Sequence, residues 1–224
     1  MHIDEIIHVI NLDKRWDRLN KLRNNYPYLN IQRFKAIKRS HGLVGCALSH
    51  IKLVQYAKDN NLPYIIVAED DILIINKKYF IKKLNNILSY LKNNLNSWDL
   101  FNGGITYFNK NKYNTAMIIN KKPNIVQYDY GNCLHFVIYN STGYDKIINL
   151  REYYLNQNIR YKTPIDVIIN KILKRKLTTI PYLCYQRSGF SNIGRKINNN
   201  YLILKKYEVL LIFMLIKNKN NIQK

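Results

Sequence analysis

The chain has 224 residues, 47% of them hydrophobic and 12% aromatic, a globular composition with room for one α/β domain, since single cores grow to roughly 250 residues before splitting. Thirty-six Lys and Arg against fourteen Asp and Glu leave a formal charge of +22, which draws polyanions and acidic membranes in a salt-dependent way whatever the function. No run reaches the roughly 20 apolar residues of a membrane span, and Cys46, Cys133 and Cys184 include no CxxC pair, against a disulfide framework or a structural zinc.

The amino terminus enters the apolar run Ile6–Ile10 without a basic leader or small-residue cleavage site, so a cytoplasmic protein is expected. Strand-like runs follow at Ile6–Asn11, Ile31–Ile37, Tyr64–Ala68, Trp98–Asn102, Leu134–Tyr139 and Leu177–Leu183. Segments of helical period alternate with them at Lys14–Asn25, Gly45–Lys58, Lys77–Lys92, Ser141–Leu150 and Ile165–Lys174, which predicts an α/β fold. In the helix at Gly45–Lys58, Leu48, Ile51, Val54 and Tyr56 supply the apolar contacts, and Asn60, Asn61 and Pro63 end it. Between Phe108 and Tyr130 the chain is polar, interrupted by Pro123, and reads as an irregular excursion or hairpin. Lysine and asparagine recur along the whole length, as compositional drift would produce, and no nucleic-acid-binding motif accompanies them. No Gly-rich phosphate loop is present. Residues 1–200 are taken as one domain and 201–224 as a basic and apolar tail, in which Val209–Ile216 is flanked by Lys205, Lys206 and Lys217. That tail suits either packing or contact with a membrane surface.

Glu69-Asp70-Asp71 stands immediately after the apolar run Tyr64–Ala68. Adjacent carboxylates raise one another's pKa, so the triplet is costly unless a cation lies between the side chains. Alternation along a strand puts Glu69 and Asp71 on one face and Asp70 on the other. Two carboxylates converging at a strand end suit Mg²⁺ or Mn²⁺ shared with phosphate; a solvated turn with an acidic helix cap is the other reading of the local sequence. Ser49 and His50 are adjacent on a helix and point about 100° apart, which argues against a nucleophile-base pair.

Several segments, in order, resemble glycosyltransferase family 25, which includes lipopolysaccharide and procollagen galactosyltransferases. They are Val9–Arg18 with its Asn-Leu and following arginines, Arg33-Phe34-Lys35-Ala36, Gly45-Cys46-Ala47-Leu48-Ser49-His50, Glu69-Asp70-Asp71, Trp98-Asp99-Leu100 with Gly103-Gly104, Pro164-Ile165-Asp166, and Gln186 with Ser191. The resemblance implies a GT-A-like fold with a central, mostly parallel sheet, and inverting transfer of galactose or glucose from a UDP-sugar to a hydroxyl on a glycan, lipopolysaccharide or protein. Asp71 and Glu69 would then hold the metal. Asn11, Arg15, Arg18, Glu69, Gln186 and Ser191 would support the donor, with Asp70 holding the loop. Asp166 would be the base that takes the acceptor proton, or else the cap of its own helix. A catalytically weak scaffold of the same fold and a basic nucleic-acid-binding module are the alternatives.

Overall fold

The computed structural model describes residues 3–106, 116–156, 162–191 and 196–222. In chain order the first half comprises β1 (Ile3–Asn11), α1 (Trp16–Asn25), β2 (Leu29–Lys35), α2 (Gly42–Asp59), β3 (Tyr64–Glu69), β4 (Ile72–Leu73), α3 (Lys77–Asn93) and β5 (Leu100–Asn102). The hairpin β6 (Ala116–Lys121) and β7 (Asn124–Tyr128) follows, then β8 (Phe136–Asn140), α4 (Tyr144–Ile148), α5 (Arg151–Leu155) and α6 (Ile165–Ile172). The chain ends with β9 (Lys176–Thr179), β10 (Tyr185–Gln186), β11 (Gly189–Ser191), β12 (Lys196–Asn198) and α7 (Asn200–Ile222).

Eight strands form one sheet in the order β2-β1-β3-β8-β5-β9-β7-β6. β1 is parallel to both β2 and β3, and β5 is parallel to β9, whereas β8 runs against both its neighbours and β7 against both of its own. Following these pairings, all strands of the sheet except β7 and β8 point the same way. The sheet is therefore mixed in its pairing and mostly parallel in its strand directions, flanked by helices on both faces as a GT-A-like fold requires.

Period-two alternation sorts the core into two layers. Ile66 and Ala68 of β3 and Phe136 and Ile138 of β8 pack with Leu19 and Leu22 of α1 and with Phe80, Leu84, Ile87 and Leu91 of α3. Ile65 and Val67, Val137 and Tyr139 pack on the other face with Ala47, Leu48, Ile51 and Val54 of α2 and Ile165 and Ile169 of α6. Within α2 the contacts come from Leu53 and Ala57 as well, while Tyr56 is exposed, so its expected core role is corrected: residue 56 falls on the outer face once Val54 points inward.

Other boundaries shift for local reasons. A 3-10 turn at Asp13–Arg15 precedes α1, and the helix expected over Ser141–Leu150 is a 3-10 turn at Ser141–Gly143 followed by the short α4, with α5 beginning just beyond it at Arg151. β9 ends at Thr179, two residues before Pro181, which has no N–H to offer a ladder. The polar excursion contains the β6–β7 hairpin on the sheet edge, with residues 107–115 outside the described set. Helix α7 packs on this part of the molecule: Leu204, Leu211 and Leu215 join Tyr182, Tyr185, Val126 and Tyr128 in a third cluster. Buried Glu208 fastens it, accepting hydrogen bonds from Tyr182 N at 2.6 Å and Tyr185 Oη at 2.9 Å.

Asp99, which sequence placed in a motif, is a structural anchor. Its buried carboxylate accepts from Arg175 Nη2 at 2.6 Å, Arg175 N at 3.1 Å and Thr142 Oγ1 at 3.0 Å. These donors hold it below the ordinary carboxylate range against the opposing effect of burial.

Candidate active site

The parallel strands β1, β2 and β3 deliver Asn11, Lys35 and Glu69 to one edge of the sheet, the carboxyl edge at which open α/β sheets bind ligands. A cleft of about 1240 Å³ opens there. Arg15, Arg18, Arg33, Lys35 and Arg187 are among the cations lining it, and Asp13, Glu69, Asp70 and Asp71 are its acids. A basic cleft with an acidic centre suits a polyanion that arrives with a divalent cation.

The triplet divides as strand alternation predicts. Asp70 turns to the β1 side, accepting from Asn11 Nδ2 at 2.8 Å and Arg18 Nη1 at 3.0 Å, and so ties β3 to β1 and α1. Glu69 and Asp71 face each other across Gln186, whose Nε2 donates to Glu69 Oε2 at 3.4 Å and to Asp71 Oδ1 at 3.3 Å. Gln186 arrives there because β10 pairs antiparallel with β4, setting Gln186 opposite Ile72, one residue beyond the triplet.

Burial, and then the charges of Glu69 and Asp70, push the Asp71 carboxyl up to about 7, Arg18 and Gln186 only partly offsetting them. Glu69 moves the other way: burial raises it, but the neighbouring His50, His135 and Cys46 together hold it below the ordinary range. The pair therefore carries negative charge that the protein's own donors leave under-compensated, with oxygens converging on one point. That donor set fits Mn²⁺ or Mg²⁺, both oxygen-seeking ions.

The remaining expected residues are placed as follows. Asn11 is buried, donates to Arg15 O at 2.8 Å as well as to Asp70, and accepts from Arg33 Nε at 3.2 Å. Arg15 lies on the cleft wall with its Nε on Asp17 Oδ1 at 3.1 Å. Arg18 also reaches Asp71 Oδ2 at 3.5 Å. Ser191 ends β11, and its side chain is outside the described set. Asp166, the second residue of α6, is not among the residues that line the cleft and accepts from Cys133 N at 3.1 Å and Val167 N at 2.9 Å. It therefore binds its own helix start and the loop before β8, and burial raises its carboxyl above the ordinary range.

Sequence reasoning passed over three residues here. Arg33 stacks on Trp16 at 4.5 Å and pairs with Asp13 at 2.6 Å, fixing the loop after β1; its place in Arg-Phe-Lys-Ala was the available signal. Arg187 lines the cleft because its N–H donates to Asp71 O at 2.7 Å, a long-range contact with no local signature. Cys46 lines the cleft beside Glu69, its Sγ 3.8 Å from Glu69 Oε1. Ser49 and His50 do not meet: Ser49 Oγ donates to Gly45 O at 2.7 Å and accepts from Ile37 N at 2.8 Å, while His50 Nδ1 pairs with Tyr139 Oη at 3.0 Å. All three cysteines are free.

The family model described as "Glycosyltransferase family 25 (LPS biosynthesis protein)" matches residues 38–169, which hold α2, the acidic triplet and Asp166. A Haemophilus influenzae protein named "Putative glycosyltransferase" is 50% identical over 44 residues, which are 20% of this chain and 16% of that protein.

Proposed function

Because the chain belongs to glycosyltransferase family 25, we propose that it transfers a hexose, galactose or glucose, from a UDP-sugar to a hydroxyl acceptor, with inversion at the sugar carbon. The observation that carries this reading is the pairing of Glu69 and Asp71 about Gln186 at the centre of a cleft walled by arginines and lysines. Glu69 and Asp71 would hold Mn²⁺ or Mg²⁺, which when bound supplies charge stabilisation to the departing diphosphate. Arg15, Arg18 and Arg187 reinforce that stabilisation from the walls, and Asn11 keeps the loop after β1 in place. Gln186 sits where its amide can turn either its N–H₂ or its oxygen toward the site, and Ser191 is assigned to the donor from the resemblance alone.

Asp166 is our assignment for the base. Burial raises its carboxyl above the ordinary range, the direction in which a proton acceptor gains basicity, and it interacts electrostatically with Glu69 and Cys46. The acceptor hydroxyl would lie on a glycan, as the lipopolysaccharide wording of the family suggests, or on a protein. A catalytically weak scaffold would keep the cleft and bind UDP without turnover. Nucleic-acid binding is disfavoured, because an acidic centre repels phosphate that comes without a metal.

No helix among the described residues is long and apolar enough to cross a membrane. For contact with an anionic membrane surface we propose the outer face of α7, where Val209, Phe213 and Ile216 are exposed. The test of the central reading is UDP release from a panel of UDP-sugars with and without Mn²⁺. Metal-dependent hydrolysis or transfer from one UDP-hexose is expected; UDP binding with no release from any donor would favour the scaffold.

A further inference from the structure

Glu69 turns its two oxygens toward different neighbours. Oε2 faces Gln186 and Asp71, whereas Oε1 faces α2, where Cys46 Sγ and His50 Nε2 each lie 3.8 Å away. One ligand atom from each of the three residues lies within 4.8 Å of the others. Cys46 and His50 stack on one face of α2, four residues apart, and strand alternation carries Glu69 to that same face with Ile65 and Val67.

His50 supplies a second, independent observation. The residue is 0% exposed and its Nε2 has no hydrogen-bond partner, an arrangement that buried polar atoms seldom keep unless a ligand completes it. Its Nδ1 is engaged by Tyr139 Oη at 3.0 Å. With the proton on Nδ1 donated to Tyr139, the Nε2 lone pair points at Glu69 and Cys46, the orientation that an outer hydrogen bond imposes on metal-ligating histidines.

We propose that Cys46, His50 and Glu69 form a binding site for a thiophilic divalent cation of the zinc class, distinct from the oxygen-lined pair Glu69–Asp71 and adjoining it through the shared carboxylate. The fit is geometric and chemical. A tetrahedral zinc with bonds of about 2.0–2.3 Å has ligand-to-ligand edges of about 3.3–3.8 Å, and both measured edges to Glu69 are 3.8 Å. Thiolate and imidazole select zinc over Mn²⁺ or Mg²⁺. Cys46 and Glu69 line the cleft, which gives the ion a way in and leaves the fourth position to water. Binding releases the Cys46 thiol proton to solvent. The cysteine spacing excludes a CxxC zinc module, and this set escapes that test because a strand supplies its third ligand. The proposal does not depend on glycosyl transfer.

The experiment strips the full-length protein with a chelator and titrates it with Co²⁺, a spectroscopic stand-in for zinc. One Co²⁺ per chain should produce a thiolate-to-cobalt charge-transfer absorption that Zn²⁺ displaces. The band should vanish in Cys46→Ser and require at least roughly 10-fold more Co²⁺ in His50→Gln. It should persist in Cys133→Ser, Cys184→Ser and Asp71→Asn. Absence of the band in the unaltered protein at stoichiometric cobalt overturns the site without recourse to any variant, as does a band that survives Cys46→Ser. Should Cys46→Ser not fold, alkylation of the unaltered chain decides: Zn²⁺ must protect Cys46 itself, and equal labelling of that thiol with and without Zn²⁺ refutes the proposal.

Discussion

Asp71 concentrates the electrostatic tension of the acidic triplet. An unfolded Asp ionises near 3.8, and in the fold this one is pushed to about 7, so the metal-free protein binds the extra proton and is favoured at low pH. That contribution is complete below about pH 4 and is lost as pH rises through about 7. In chelator, Asp71→Asn should therefore melt higher than the unaltered protein near pH 8, the difference closing toward about pH 4. An equal difference at both ends would show that the carboxylate is not under strain. With Mn²⁺ and UDP present the ranking should reverse, and calorimetry should find metal-dependent UDP affinity abolished in the variant. Asp166→Asn asks a separate question of an isosteric side chain. Turnover should fall roughly 10²-fold with donor affinity kept if it is the base. Loss of thermal stability with unchanged turnover per folded molecule would leave it only the task of holding Cys133 N and Val167 N.

The elements hold these side chains through close approaches. Gly45 is the tightest: a Cβ there would stand 2.4 Å from Ile37 O, a backbone atom that cannot swing aside. The contact is locked by Ser49, which bridges Gly45 O and Ile37 N and so pins α2 against the segment following β2. Gly45→Ala should cost about 1–3 kcal/mol by overpacking, and chemical denaturation should show it as a lower midpoint with an unchanged slope. An unaffected midpoint would mean that this segment yields freely. Much at this scale was legible in the sequence, because β1, β3, α2 and α3 are long and periodic and their apolar faces declare themselves. The Glu69/Asp71 and Asp70 division followed from the pleat. Legibility failed where a residue's role depends on a distant partner. β10 is only Tyr185–Gln186, too short to carry a pattern, and it exists because β4 lies opposite. Cys46 looks like any small helical residue until β3 brings Glu69 beside it.

At the scale of the whole molecule, α7 relates the excess positive charge to the outer surface. Its buried stripe, Leu204, Glu208, Leu211 and Leu215, recurs at helical spacing, and the exposed apolar residues Val209, Phe213 and Ile216 fall on the opposite side. Phe213 is 66% exposed, more than any other large apolar side chain described. The run Val209–Ile216 thus turns one face into the core, as the packing reading expects, and the other outward. Truncation after Lys206 would remove Glu208 and its bonds to Tyr182 and Tyr185, so it should destabilise the fold and says nothing about membranes. The separating variant is Val209→Ser, Phe213→Ser, Ile216→Ser together, which leaves the buried stripe intact. Sedimentation with acidic liposomes should fall for this variant, above all at high ionic strength. There the general attraction of a +22 chain is screened and insertion of apolar side chains is what persists. The melting temperature should hold. If binding is unchanged at high salt, the membrane role of α7 is wrong; if the unaltered protein sediments as a dimer and the variant as a monomer, the outer face belongs to a second copy of the chain.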